Sequence, residues 1–554
     1  MTVADGLDCD VAVVGYGPVG QALAIRLAGL GHRVTVVERR TTPYLLPRAV
    51  HFDDEIARFL GEMELGPRLA DVSEPAVDYD WRNAAGETLL HFDWSGFGPS
   101  GWPTANMFSQ PALEAVLTAK AESLPGVTVL RGHQAVALTD RGDHAELRVR
   151  AAGADGDRDG SDELTLRASY VVGCDGANSF VRDVLGTTVT DLGFHYDWLI
   201  VDVIPHEERV WRPFNLQVCD PARPSTAVSG GPGRRRWEFM RLPGETIADL
   251  DDAGTAWRLL ADWGITADNA TLERHTVYTF EARWADTWRS GRLLIAGDAA
   301  HLMPPFAGQG MCSGMRDVAN LAWKLDLVLS GRSGDALLDT YGSERSAHVR
   351  NAIGISVELG NVICLTDPEA AKGRDEYLLG AGGDPETALP PVPPAVLGPG
   401  VVRADAHGAP VGSAGQPTPQ GRVADAAGRT GLFDQIAGPG FVIATTVDPR
   451  DALTAEARAL VQLIGARVVH IVPEGSPLTA AEPVSANDST DLEILRVADV
   501  EGFYLPHMRA VGHEVAIVRP DHYLFGAAAS SADLPGLLAD LAARLHLHPL
   551  GDAA

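Results

Sequence analysis

Cysteine is scarce. Five residues (Cys9, Cys174, Cys219, Cys312 and Cys364) occur in 554, with no CxxC pair and no zinc-like spacing. A disulfide scaffold and a metal site are therefore not expected, and a reducing compartment, the cytoplasm, is the expected location. Positive charge is also short: 45 Lys and Arg stand against 74 Asp and Glu, a formal net charge of −29. That sign excludes nucleic acid and anionic membrane surfaces as partners. No apolar run reaches the ~18 residues needed to span a bilayer. The acidic N-terminus lacks the basic and apolar regions of a secretory signal. Apolar residues at 45% and charged residues at 21% rule out disordered, collagenous and coiled-coil chains. The length corresponds to two to four domains of about 150 residues. A soluble multidomain enzyme is the expected class.

Hydrophobic patterning divides the chain. Residues 9–38 read as a strand, an amphipathic helix with Val19, Leu23, Leu27 and Leu30 at helical spacing, and a second strand ending at Glu38. A helix opening at Gln110 and Pro111 leads into a strand at 127–130. Residues 151–163, rich in Gly and Asp, read as a solvated hairpin end. From 187 to 290, short β-prone runs between turn residues predict a mainly antiparallel sheet. A parallel-type strand follows at 292–296, then a glycine-rich loop and a long helix with Met315, Val318, Leu321, Ala322, Leu325 and Leu329 on one face. Residues 389–400 are rich in proline and read as a linker. Beyond them, alternating strand and helix patterns predict a separate small α/β domain.

Two GxGxxG matches occur, where chance alone gives roughly 0.7 in a chain this rich in glycine. Gly96-Phe-Gly98-Pro-Ser-Gly101 has no strand before it and no helix after it, and reads as a loop. Gly15-Tyr-Gly17-Pro18-Val19-Gly20 lies between strand and helix. Gly15 allows the tight turn, Gly17 lets a pyrophosphate approach the backbone, and Gly20 lets helix and strand pack closely. The helix N-terminus then faces the diphosphate with free N–H groups, and Glu38 can accept from a ribose. This pattern does not by itself separate NAD from FAD.

Two further segments do so by resemblance. Gly173-Cys-Asp175-Gly176, continuing to Ser179 and Arg182, resembles the DG motif of flavoprotein aromatic hydroxylases. Gly297-Asp298-Ala-Ala-His301-Leu-Met-Pro304-Pro305-Phe-Ala-Gly308-Gln309-Gly310 resembles their GD motif and continues to Asp317, Asn320 and Lys324. The three motifs stand in the family's order across the first ~370 residues. The segments Pro47 to Glu55, Cys219 to Pro224, Trp237 to Met240, Pro243 to Glu245 and Leu338 to Tyr341 are similar to the 3-(3-hydroxyphenyl)propionate hydroxylase branch. One departure stands out: Cys312 occupies a position where the family usually has asparagine, and no partner base makes it a catalytic thiol.

The resemblance implies an α/β fold of the para-hydroxybenzoate hydroxylase type. Its Rossmann-like FAD-binding domain would comprise 1–75, 105–186 and 288–388, with a mainly antiparallel β substrate domain inserted at 76–104 and 187–287. A Pro/Gly-rich linker at 389–421 and a thioredoxin-like domain at 422–554, without CxxC, would follow. The implied activity is hydroxylation of a phenolic ring with NAD(P)H and O2 through a flavin C4a-hydroperoxide, on non-covalently held FAD. The implied substrate is a 3-(3-hydroxyphenyl)propanoid acid, hydroxylated ortho to its hydroxyl. Alternatives are a tailoring oxygenase of a larger phenol or polyketide, and a non-catalytic flavin-containing ligand-binding protein.

Implied FAD contacts are Gly15, Gly17, Pro18, Val19, Gly20, Glu38, Arg39, Arg48, Gln110, Asp175, Gly297, Asp298, Pro305, Gly308, Gln309, Gly310 and Met311. Without the resemblance, Gln110 reads as an N-terminal helix residue, Arg48 as a surface arginine and Asp175 as a strand-end turn residue. His51, Phe239 and Pro305 are the expected substrate contacts. His51 and His301 read equally as core histidines, and Lys324 as part of a solvated face. No catalytic base is assigned, and a homodimer is the expected assembly.

Overall fold

The computed structural model describes residues 6–43, 49–152, 163–389, 395–479, 482–483 and 492–548. Arg48 and most of the Gly/Asp segment at 151–163 lie outside them. The strands Ala145–Ala151 and Glu163–Gly173 that flank this segment pair antiparallel.

A first sheet is built on five parallel strands in the order Leu293–Ile295, Glu163–Gly173, Cys9–Val14, Val34–Glu38, Val127–Arg131. The central strands are apolar along their length because both faces are covered. Helix Pro18–Gly29 packs against helix Gly310–Leu329. The approach is close: a Cβ on Gly314 would sit 2.6 Å from Cγ2 of Val19. The expected apolar face of the long helix is buried from Met315 to Leu325, with Leu329 packed at its edge.

A second, eight-stranded sheet draws its strands from residues 78–93, 189–285 and 301–302. Its order begins His301–Leu302, Ala270–Ala285, Val189–Pro205, Arg235–Met240, and continues Ser225–Ser229, Asn215–Val218, Asp78–Arg82, Thr88–Asp93. All neighbours are antiparallel except Asn215–Val218 with Asp78–Arg82. One face buries Leu199, Val201, Trp237 and Phe239 beneath helix Ala253–Ala261. The opposite face lines the cavity described below.

In the C-terminal part, parallel strands Glu493–Asp499, Arg467–Pro473 and Val442–Thr445 are extended by antiparallel Val515–Val518 and Leu524–Ala528. One face of this sheet shares its core with Trp323, Leu327 and Leu337, and the rings of Trp323 and Phe441 lie 5.4 Å apart. Within the stretch read as a linker, Leu397, Val401 and Val402 are buried, and a Cβ on Gly398 would collide with the Ser343 carbonyl at 2.2 Å.

Lys324 corrects the sequence reading. It is fully buried, not solvated, and donates to Glu344 Oε2 at 2.8 Å. Among the described residues, no helix is long and apolar enough to cross a membrane, and no His/Cys/Asp/Glu group could hold a metal.

Candidate functional site

One cavity of about 890 Å³ runs from the glycine turn after the first strand to the inner face of the second sheet. At its first end each glycine has a separate reason. Gly15 has φ +102°, and a Cβ there would lie 2.3 Å from the Cys174 carbonyl oxygen; one on Gly20 would lie 2.1 Å from that of Gly15. Gly17 differs. It lines the cavity, and nothing lies within 4 Å of where its Cβ would be. A side chain would project into the space a pyrophosphate needs.

Pro18 opens the helix at a position where no N–H is lost. The Val19 and Gly20 N–H groups precede the first intrahelical bond, Gln21 N to Gly17 O at 2.9 Å. Glu38 accepts from Tyr16 N at 3.0 Å through Oε2 and from Arg40 N at 2.8 Å through Oε1. A lone pair on each oxygen remains for a ribose hydroxyl. Arg39 and Pro18 also line this end.

The middle of the cavity is formed by Asp298, Pro305, Gly308, Gly310 and Met311 with His51, Gln110 and Asp175. Gly308 (φ +64°) turns the chain into helix Gly310–Leu329, whose first N–H groups have no intrahelical acceptor. This positive helix end suits the electron-rich edge of a flavin pyrimidine ring. Asp298 is set by its neighbour. Asp317, fully buried, accepts from Gly297 N at 3.0 Å, from His301 Nε2 at 2.8 Å and from Arg345 Nε at 2.9 Å. Burial pushes the Asp317 carboxyl up, but His301 and Arg345 outweigh it and hold it below the usual range. The open cradle at Gly17, the acceptors at Glu38 and Asp298 and the helix end together fit FAD.

Several expected contacts sit elsewhere. Gly20 and Gly297 do not reach the cavity surface. They close backbone contacts instead, a Cβ on Gly297 meeting Val19 at 3.0 Å. The Gln309 side chain is also absent from the lining: it donates to Asp53 Oδ2 at 3.1 Å and accepts from Arg316 at 2.8 Å. Gln110 and Asp175 do line the cavity, yet both also work locally. Gln110 accepts from Ala49 N at 2.9 Å and donates to Glu114. Asp175 accepts from Ser179 and from Val181 N at the start of helix Phe180–Leu185. Burial raises its carboxyl against those bonds. His301 proves to be a core histidine, whereas His51 lines the cavity with Nδ1 3.4 Å from the Gly308 carbonyl; burial lowers its basicity. Burial pushes the Cys312 thiol up, in keeping with a structural residue.

The sheet end holds the residues that sequence reasoning missed. Phe239 lies in the opposite core, 2% exposed. Strand side chains alternate, so Glu238 is the one that faces the cavity. Burial pushes its carboxyl up to about 7, against Arg236 and with Asp202. Around it stand Gln217, Thr226, Asn215 and Tyr79, with Trp81 and Phe92 as apolar walls. Gln217 Oε1 accepts from Thr226 at 2.7 Å and from Tyr79 at 3.3 Å.

Comparison with known proteins is consistent along the whole chain. Residues 8–356 match the family model of an FAD binding domain and residues 415–544 that of an HcaD C-terminal domain. A probable NADH-specific resorcinol 4-hydroxylase of Rhodococcus jostii (strain RHA1) is 37% identical over 539 residues, 96% of this chain and 94% of that one. A 3-(3-hydroxy-phenyl)propionate/3-hydroxycinnamic acid hydroxylase of Mycobacterium sp. (strain JLS) is 34% identical, covering 95% and 90%. Among solved structures, aklavinone-11 hydroxylase with FAD and aklavinone superposes with a TM-score of 0.71 at 26% identity, covering 98% and 100%. The flavin-dependent monooxygenase PieE shares the fold, with a TM-score of 0.76 at 19% identity, covering 97% and 100%.

Proposed function

The chain belongs to the FAD-binding-domain family, and within it to the FAD-dependent aromatic hydroxylases; from that premise we propose which residues hold cofactor and substrate. The enzyme uses FAD, NAD(P)H and O2 to hydroxylate a phenolic ring. FAD supplies the redox chemistry: NAD(P)H provides two electrons, one oxygen atom enters the ring and the other leaves as water. We assign non-covalent FAD to the turn Gly15–Gly17–Pro18–Val19, to Glu38 and Arg39 at the ribose, and to Asp298 at the ribityl hydroxyls. The N–H groups at Gly310 and Met311 would hold the flavin by its electron-rich edge. Gln110 and Asp175 flank the cofactor. Pro305 and His51 border the substrate, whose ring faces the second sheet.

The observation that carries this reading is the single cavity joining the glycine turn to that sheet face. The residues of the chain exclude water from it and orient the ring. NADH is the favoured donor, as in the name of the Rhodococcus relative. Of the relatives' named substrates, a hydroxyphenylpropionate carries a carboxylate and resorcinol does not. The polar groups at the sheet end bear on that choice.

We assign 1–75, 105–186 and 288–388 to the FAD-binding domain, and 76–104 with 187–287 to the substrate domain. Residues 389–421 connect them to 422–554, which we read as thioredoxin-like. With no cysteine after Cys364, that part has no thiol chemistry and acts by packing. A homodimer is the proposed assembly. The reading is tested by following NADH loss with and without each member of a panel of phenols. Phenol-stimulated oxidation with a hydroxylated product supports it. Bound flavin with no stimulation by any phenol points instead to a ligand-binding protein.

A further inference from the structure

Backbone register arranges the cavity face of the second sheet into rows. Ile200 pairs with Glu238, Glu238 with Thr226, Thr226 with Gln217, and Gln217 with Trp81. All five line the cavity, so this row crosses five neighbouring strands on one face. Beside it, Val228, Asn215, Tyr79 and Phe92 line the same space. The two rows set the polar side chains Glu238, Thr226, Gln217 and Asn215 among the apolar Ile200, Trp81, Val228 and Phe92.

Glu238 is the charged member of these rows and is only 9% exposed. Its nearest cation is Nη1 of Arg236 at 3.8 Å, too long for a hydrogen bond. Arg236 is already held by Asp202 through Nε at 2.8 Å and Nη2 at 2.9 Å. A second polar group points the same way. Asn215 is 1% exposed, and its Oδ1 accepts from Ser229 N at 3.0 Å. Its Nδ2 is buried with no hydrogen-bond partner. This face therefore offers two unused donors, Asn215 Nδ2 and Trp81 Nε1, and one under-used acceptor, Glu238, groups that ring hydroxyls can satisfy. Among the described lining residues, the arginines are Arg39, Arg40 and Arg131, which stand with the glycine turn and Glu38, not on the sheet face.

We propose that Glu238 is the specificity-determining residue of this enzyme, accepting a hydrogen bond from a hydroxyl of an uncharged dihydroxylated ring and turning away phenols that carry a carboxylate. The assignment rests on the phenol-hydroxylase reading and deepens it. A carboxylate brought to this face would meet a buried acid in low dielectric, where like charges repel strongly. A hydroxyl instead repays the desolvation of Glu238 and Asn215, and a ring lacking it leaves both unpaired. The perturbed ionisation of Glu238 agrees with a carboxyl that lacks an adequate partner until substrate arrives.

The test compares resorcinol with 3-(3-hydroxyphenyl)propionate on the flavin-loaded full chain, wild type and Glu238→Gln. Wild type should favour resorcinol in kcat/KM by about tenfold or more. The amide, which keeps the shape but loses the charge, should raise KM for resorcinol about tenfold and shrink the preference by a similar factor. Binding of both compounds to wild type, read from the flavin absorption band, gives the same comparison without a variant. A wild type that prefers the acid, or a preference unchanged in Glu238→Gln, overturns the role of Glu238 while the hydroxylase reading stands. Failure of every phenol to stimulate NADH oxidation removes both.

Discussion

Replacing Arg519 with methionine removes one cation from a fully buried ionic cluster that joins the C-terminal sheet to the flavin-side helices. The guanidinium donates to Glu344 at 3.0 and 2.8 Å, to Asp521 at 3.0 and 2.6 Å, and to the Val401 carbonyl at 2.8 Å. Lys324 donates to the same Glu344, and Asn320 to both carboxylates. Two cations thus balance two anions, all within 4% exposure. The two partners of Glu344 respond differently. Burial raises the Glu344 carboxyl, but Arg519 and Lys324 outweigh it and hold it down at about 2. Burial drives Lys324 down to about 8; Glu344 opposes that fall and Arg519 adds to it. Without Arg519, one ammonium faces two buried carboxylates, a loss of about 3–5 kcal/mol. That is a large part of a typical domain's ~5–15 kcal/mol.

Hydrogen exchange of the amides in Val515–Val518 and Val442–Thr445 reads this as a fall in protection of about two to four decades. The double change Arg519→Met with Asp521→Asn restores neutrality and should recover at least about 1 kcal/mol of the loss. Acid should act likewise. Because the folded carboxyl of Glu344 titrates below its unfolded value, its contribution is full above pH ~4.5 and is lost as pH falls toward about 2. Exchange in Arg519→Met within fivefold of wild type, or a double variant as loose as the single, would show that Arg519 does not hold this cluster together.

Three further outcomes follow from the cavity. Asp298→Ala should weaken FAD retention about tenfold or more, seen as a lower flavin-to-protein ratio after gel filtration; an unchanged ratio separates Asp298 from the cofactor. Gly17→Leu should give a folded protein without flavin, because only cavity lies before its Cβ. Gly20→Ala should fail to fold, because its Cβ meets the Gly15 carbonyl; circular dichroism with flavin content distinguishes the two, and a reversal of these outcomes would contradict the assigned turn. Glu238→Gln should stabilise the protein by up to about 3 kcal/mol above pH 7 and by nothing below pH 4.5. The wild-type carboxyl titrates above its unfolded value, so its cost grows between those pH values and is then constant. Arg236 and Asp202 are its charged neighbours, and Tyr79 and Tyr278 share its cavity face. Equal urea midpoints for the two proteins at pH 8.5 would sink this.

The nucleotide end was legible because each glycine answers a local backbone need that spacing alone expresses. The parallel strands were legible as apolar runs, and the long helix as one periodic face. The sheet end was not, for a physical reason visible in Trp237, Glu238 and Phe239. Alternation shows that the aromatic residues share a face, but not whether core or ligand claims it. The core did, and the carboxylate was left facing the cavity. Lys324 was misread for a related cause. Its partner Glu344 lies 20 residues on, and Arg519 a further 175. No local pattern announces that these charges meet. Gln309 sits in a glycine-rich turn whose backbone faces the cavity while its side chain turns back to Asp53 and Arg316. His301 likewise follows a functional turn but serves Asp317 behind it.

The proposed reaction places one atom of O2 on a phenolic ring within this cavity. The most direct measurement is the mass of the product formed by the flavin-loaded protein with NADH, resorcinol and ¹⁸O₂ in unlabelled water. A trihydroxylated ring carrying one ¹⁸O, formed only when the phenol is present, is the predicted result. Unlabelled product, or NADH consumed with the phenol recovered intact and all oxygen reduced to peroxide, would contradict it.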